Sequence, residues 1–196
     1  MIGEDSLTRL LAQEERRILL RLAREALECA AQGRKLPALD ASTLTPALLA
    51  QGASFVTLTK HGDLRGCIGA LEPYQPLAED VREHTIAAAL QDFRFPPVEP
   101  AELSDILIEV SRLTAPQHLD YAGPQDLLEK LRPGVDGVIL SESKWRRATF
   151  LPQVWEKLPD KEVFLDHLCE KMGLPSNTWR TRHLDVQVYQ VEEFHE

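Results

Sequence analysis

The sequence predicts an α+β protein: a mainly antiparallel sheet with flanking helices, in two packed lobes. Two observations lead there. SFVTLTK, the turn His61-Gly62-Asp63 and LRGCIGAL read as a β-hairpin. Helical and hairpin patterns then mix without a strict strand–helix–strand rhythm, which argues against a doubly wound parallel sheet. Composition agrees with a packed core, at 43% apolar and 27% charged over 196 residues. A chain of that size buries about 70% of its unfolded surface.

Leu11, Ile18, Leu19, Leu22, Ala23, Ala26, Leu27 and Ala30 recur at helical spacing before Gly33, giving a long amphipathic first helix with Cys29 near its end. Residues 34–52 read as a loop with a short helix, Thr45 as N-cap and Pro46 at the first position. After the hairpin, Pro76 opens a helix to about Gln91, and Phe95-Pro96-Pro97 must leave helical geometry. Residues 105–113 form a strand, with Ile106, Ile108 and Val110 on one face and Leu107, Glu109, Ser111 and Leu113 on the other. HLDY is extended, Gly123-Pro124 starts a helix, and GVILS through SESK into WRRATFL makes a second hairpin. Asp160 caps a helix carrying Val163, Phe164, Leu165, Leu168, Cys169 and Met172, ended by Gly173. HLDVQVYQV is the final strand. All of 1–196 reads as one domain, with the proline-rich stretch near 92–104 as the seam between two sub-lobes.

Charge and cysteine usage narrow the function classes. Lys and Arg number 22 against 31 Asp and Glu, a formal charge of −9, so the basic footprint of a nucleic-acid binder is missing. Three scattered cysteines suit a reducing compartment. The N-terminal residues lack the basic and apolar regions of a signal peptide, and no apolar run is long enough to span a bilayer. These features predict a cytoplasmic protein with no nucleic-acid or membrane partner. The sequence carries no phosphate-binding loop, no HExxH, no cysteine pair at zinc spacing, no iron–sulfur triplet and no serine elbow. It therefore predicts neither a metal site nor a cofactor.

What remains is LRGCIG. On a regular strand Arg65 and Cys67 share a face, and a nearby guanidinium favours thiolate. Gly66 and Gly69 leave room for a second backbone or a ligand. Cys67 reads either as a nucleophile, with Arg65 tuning it or binding an anionic substrate, or as a small buried cysteine in a tight strand. His84 lies on the stripe Leu77, Val81, Ala88 and is either a base for Cys67 or a boundary histidine with one satisfied nitrogen. Asp92 and Arg94 either hold a ligand or clamp the turn. Glu109 either pairs with Arg65 or acts as general base. Trp145-Arg146-Arg147 is either an aromatic–basic binding edge or an ordinary exposed hairpin.

LRGCIG, then Asp92 with Arg94-Phe95-Pro96-Pro97, then Phe150-Leu151-Pro152-Gln153-Val154, resemble in this order the AMMECR-domain family, whose prokaryotic members are called AmmeMemoRadiSam system protein A. Pro73, Pro76-Leu77, Ala88-Ala89, Glu109-Val110-Ser111, Gly134 to Gly137, and Lys171 with Gly173-Leu174 extend the resemblance over nearly the whole chain. Phe93 and Met172 depart from it, standing where the family often has proline and alanine. His84 matches no histidine of the family, which weighs against a Cys67–His84 dyad. The resemblance implies an α+β fold in two packed lobes. It also implies genomic association with a Memo-like protein, similar to extradiol-type dioxygenases, and with a radical-SAM protein. It implies no particular reaction.

The expected function is an enzyme or enzyme component acting on a small molecule or a modified side chain. Cys67 supplies the thiol, Arg65 tunes it or holds an anion, Glu109 orients Arg65 or moves a proton, and Asp92 and Arg94 shape the pocket. The alternative is a non-catalytic adaptor for the Memo-like or radical-SAM protein, docking through the Trp145 hairpin.

Overall fold

The computed structural model describes residues 10–196; most of the N-terminal stretch read for targeting signals, residues 1–9, lies outside them. Helix α1 (Gln13–Ala31) buries Leu19, Leu22, Ala23, Ala26, Leu27 and Cys29 along one stripe, as their spacing dictates. Thr45 does precede α2 (Pro46–Leu49), but its side chain makes no cap bond. Its hydroxyl donates instead to Glu15 of α1 at 2.6 Å. Strands β1 (Gln51–Lys60) and β2 (Asp63–Gly69) form the expected hairpin. His61 and Gly62, at φ 54° and 90°, give the two left-handed residues that a tight hairpin turn of this twist requires. The short β3 (Gln75–Pro76) pairs with the start of β1. Helix α3 (Leu77–Leu90) follows, then β4 (Ile106–Leu113), antiparallel to β1 from Ala53↔Leu113 to Lys60↔Ile106.

Alternation places Val56 and Leu58 of β1 with Ile106, Ile108 and Val110 of β4 in one core with the inner faces of α1 and α3. Each such buried aliphatic contributes about 1.5–3 kcal/mol relative to exposure. Thr57 and Glu109 therefore lie on the other side of the sheet, away from the helices.

A second compact unit, Ala115–Val191, has its own core. It contains β5 (Gln117–His118), α4 (Pro124–Lys130), β6 (Gly137–Ser143), β7 (Arg146–Phe150), α5 (Lys161–Lys171), α6 (Thr178–Thr181) and β8 (Asp185–Tyr189). Its sheet runs β5-β8-β6-β7, all antiparallel. Val138, Leu140, Ala148 and Val186 face Phe164, Leu165, Leu168 and Trp155, with the Trp155 and Phe164 rings stacked at 3.6 Å. The Asp160 carboxylate accepts from the amides of Glu162 and Val163, the predicted cap. β9 (Val191–His195) then returns to the first unit beside β4, completing the order β2-β1-β4-β9.

The antiparallel strands are divided between two sheets, and one expectation is corrected. The seam falls after Thr114, and residues 92–104 lie inside the first unit, because Arg65 and Cys67 hold that proline-rich loop. The run HLDVQVYQV is β8, and a further strand, β9, follows it into the other sheet.

Candidate functional site

Gly66 lets LRGCIG occupy this edge. A Cβ built there would stand 2.3 Å from the Ala88 carbonyl oxygen of α3. At Gly69 a Cβ would meet the Phe55 ring at 2.4 Å. Both glycines thus admit the protein's own groups, and of the two uses foreseen for that space the structure takes close self-packing.

β2 is an edge strand, and an edge leaves backbone groups unpaired. At Cys67 they are taken by the turn that follows α3. The Cys67 amide donates to Asp92 Oδ2 at 2.9 Å, and Arg94 Nη2 donates to the Cys67 carbonyl at 3.2 Å. Asp92 also accepts from Arg94 Nε at 2.9 Å, from Arg94 Nη2 at 2.6 Å and from the Arg94 amide at 3.2 Å. Asp92 is buried, while 44% of the Arg94 side chain is exposed. Arg94's hydrogen bonds, then the Cys67 amide, hold the Asp92 carboxyl far below the ordinary carboxylate range against the opposing effect of burial. Asp92 in turn raises the pKa of Arg94, and the Cys67 side chain adds to that rise. Asp92 and Arg94 therefore clamp the cysteine's backbone and bring a guanidinium beside its thiol.

The thiol is half-buried and accepts from Thr57 Oγ1 at 3.4 Å. Thr57 pairs with Cys67 on one side and with Glu109 on the other. The row Cys67–Thr57–Glu109 runs along the face away from α1 and α3. Two strand spacings put Cys67 and Glu109 backbones about 10 Å apart, so a water or a substrate must bridge them for a proton to pass.

Arg65 sits elsewhere than expected. The register slips between Leu58 and Thr59, with Leu58 opposite Gly66 and Thr59 opposite Leu64. Arg65 is thus the extra residue of a β-bulge, a device that re-aims side chains. Its guanidinium forks onto Glu102 at 2.9 and 3.1 Å and donates to the carbonyls of Pro96 and Pro97. Glu102, not Glu109, is its carboxylate, and it also accepts from Lys60 at 3.0 Å. Arg65 foremost holds the Glu102 carboxyl down to about 2.

His84 is on the other side of the sheet. Ser54, of the same parity as Val56 and Leu58, donates to Asp80 Oδ2 at 2.6 Å, and His84 Nδ1 lies 3.2 Å from the same oxygen. All three are buried. The Cys67–His84 dyad is therefore ruled out by alternation along β1, and His84 is the boundary histidine with one satisfied nitrogen. Sequence reasoning missed Thr57, Lys60 and Glu102. For Thr57 the hairpin register was an available signal; for the other two the bulge hid it.

Among the described residues no group of three or more His, Cys, Asp or Glu is placed to hold a metal, and no helix is long and apolar enough to cross a membrane. Cys29 and Cys169 are buried core residues.

An α+β protein of two antiparallel sheets, with a clamped cysteine on one sheet edge, is the class these features define. The chain belongs to the AMMECR1 family, whose profile matches residues 20–194. It is 42% identical to a protein of Methanothermobacter thermautotrophicus, covering 95% of this chain and 96% of that one. It is 39% identical to a protein of Methanopyrus kandleri, covering 95% and 90%. Among solved structures it resembles the uncharacterized protein PH0010 of Pyrococcus horikoshii, with a TM-score of 0.72, 33% identity and coverage of 95% and 93%.

Proposed function

We propose that this chain is an enzyme, or an enzyme component, whose reactive thiol is Cys67. It acts on a small molecule or a modified side chain, in a pathway shared with a Memo-like and a radical-SAM protein, the partners implied by the family resemblance. The observation that carries the reading is the clamp: both backbone groups of Cys67 are held by Asp92 and Arg94, while its sulfur stays half-buried on the outward sheet face. Arg94 keeps Nη1 outside these bonds, which suits it to an anionic group of the substrate. Glu109, across Thr57, receives the thiol proton through a bridging molecule.

Iodoacetamide labelling across pH tests this. Cys29 and Cys169 are buried, so labelling of the folded protein reports Cys67. Cys67 is expected to label faster than a free model thiol, with the signal lost in Cys67→Ser and slowed in Arg94→Gln. Labelling no faster than the model thiol, or only after unfolding, overturns the proposal.

A second reading, a non-catalytic adaptor, has one observation in its favour: Trp145 is 88% exposed at a hairpin tip. Loss of co-purification with the Memo-like or radical-SAM protein in Trp145→Ala, with Cys67→Ala unaffected, would decide for it.

A further inference from the structure

The outward face of the first sheet is patterned around Cys67. Strand register sets three rows on it: Leu64–Thr59–Leu107, then Cys67–Thr57–Glu109, then Gly69–Phe55–Ser111. On β1 and β4 neighbouring rows stand two residues apart, about 6.7 Å. Leu64 and Leu107 are 43% and 56% exposed, an aliphatic row left open to solvent. On the other flank the Phe55 ring lies over Gly69, 2.4 Å from where a Cβ would stand. The middle row is thus a polar floor between two apolar flanks, with a thiol at one end and a carboxylate at the other.

Glu109 is the uncompensated charge of that row. It is half-buried and makes no hydrogen bond or ion pair among the described residues. The Thr57 hydroxyl donates to the Cys67 sulfur instead. The cations about β2 are engaged elsewhere, Arg94 with Asp92 and both Arg65 and Lys60 with Glu102. A half-buried carboxylate without a partner favours a cation brought to it. A lysine side chain matches the row: its ammonium pairs with Glu109 and its methylene stem lies against the flanking apolar groups. The flanks bear on what carries that lysine. On an extended polypeptide, residues i and i+2 face one way about 6.7 Å apart, the spacing of the rows. A leucine two positions from the lysine therefore meets Leu64 and Leu107 when the ammonium meets Glu109. A free amine leaves that row uncovered.

We infer that this face binds a lysine side chain presented by an extended segment of another protein, with an aliphatic residue two positions away against Leu64 and Leu107. The inference rests on the reading of Cys67 as the reactive thiol and names its substrate class. The lysine nitrogen is then the bridging group between the thiol and Glu109.

Calorimetry on the full chain tests this with the peptide acetyl-Ala-Lys-Ala-Leu-Ala-amide. The comparison ligands are the same peptide with norleucine or glutamate for lysine, the same with serine for leucine, and free lysine amide. Protection of Cys67 from iodoacetamide is the second readout. The lysine peptide is expected to bind about 10-fold more tightly than the norleucine and glutamate peptides and than lysine amide, and to slow labelling of Cys67. Glu109→Gln is expected to erase the preference for lysine over norleucine, and Leu107→Thr the preference for leucine over serine. Equal binding of the norleucine peptide, an unchanged lysine preference in Glu109→Gln, or lysine amide binding as tightly as the peptide overturns the inference. Lysine-selective binding to a chain whose Cys67 labels no faster than a model thiol supports the lysine site and fails the reactive-thiol reading, so the two are told apart.

Discussion

Ser54 and Thr57 lie three residues apart on β1 and serve opposite sides of the sheet. On the helix side Ser54, Asp80 and His84 are buried, and Ser54 and His84 both converge on Asp80 Oδ2. On the outward side Thr57 meets a thiol whose backbone is pinned but whose sulfur is half-buried. Both clusters contain groups that could serve catalysis. The difference teaches that access separates them: buried polar groups must spend their hydrogen bonds on each other, whereas a clamp that uses only backbone groups leaves a side chain for other work.

Substitutions that treat the two sides unequally sharpen this contrast. Asp80→Ala strands the Ser54 hydroxyl and one His84 nitrogen in the core, a loss of about 4 kcal/mol from two unpaired buried groups and a cavity. Urea unfolding measures it, and the labelling rate of Cys67 in the folded fraction should stay within twofold. A large change in that rate would break the separation of the two faces. Gly66→Ala forces a methyl against the Ala88 carbonyl and should cost about 3 kcal/mol by overpacking. Because that clash lies between α3 and β2, both clusters should loosen together, seen as faster amide exchange at Cys67 and at His84.

Asp92→Asn should cost about 2 kcal/mol, since it weakens one buried partner of a half-exposed arginine. It also changes the acid response. The folded pKa of Asp92 is depressed, so its stabilisation is present above its ordinary value of 3.8 and is lost as the pH falls below it. Glu102, ordinarily 4.5 and held to about 2, loses its share over that interval. Unfolding free energy of the wild type should therefore fall from about pH 5 toward pH 2, and less steeply in Asp92→Asn. Equal slopes would show that the clamp does not hold the carboxylate charged.

Much of this was legible from one dimension. Period-2 runs gave the hairpin and the buried Ile106, Ile108 and Val110, and helical spacing gave α1 and the stripe bearing His84. The clamp reading of Asp92 and Arg94 was available because proline after Phe95 forces a turn. The fork of Arg65 on Glu102 was not legible. It depends on a one-residue bulge that local propensity does not encode, and its partner lies 37 residues away. Arg94 beside the thiol depends likewise on where α3 ends against β2. Whether a strand joins one sheet or another is decided by long-range pairing, which is why β9, beyond the run HLDVQVYQV, was not legible.

The return of β9 bears on biosynthesis. The second unit interrupts the first between β4 and β9, so a ribosome completes all of Ala115–Val191 before the strand that flanks β4 emerges. Until then the nascent first unit lacks Phe194 from its core. It also lacks Glu192, which accepts from the Leu11 amide and pairs with Arg16 and Arg112. During translation β4 offers an open edge of the sort that chaperones cover or neighbouring chains capture, and the first unit closes only after the unit inserted in it has been made.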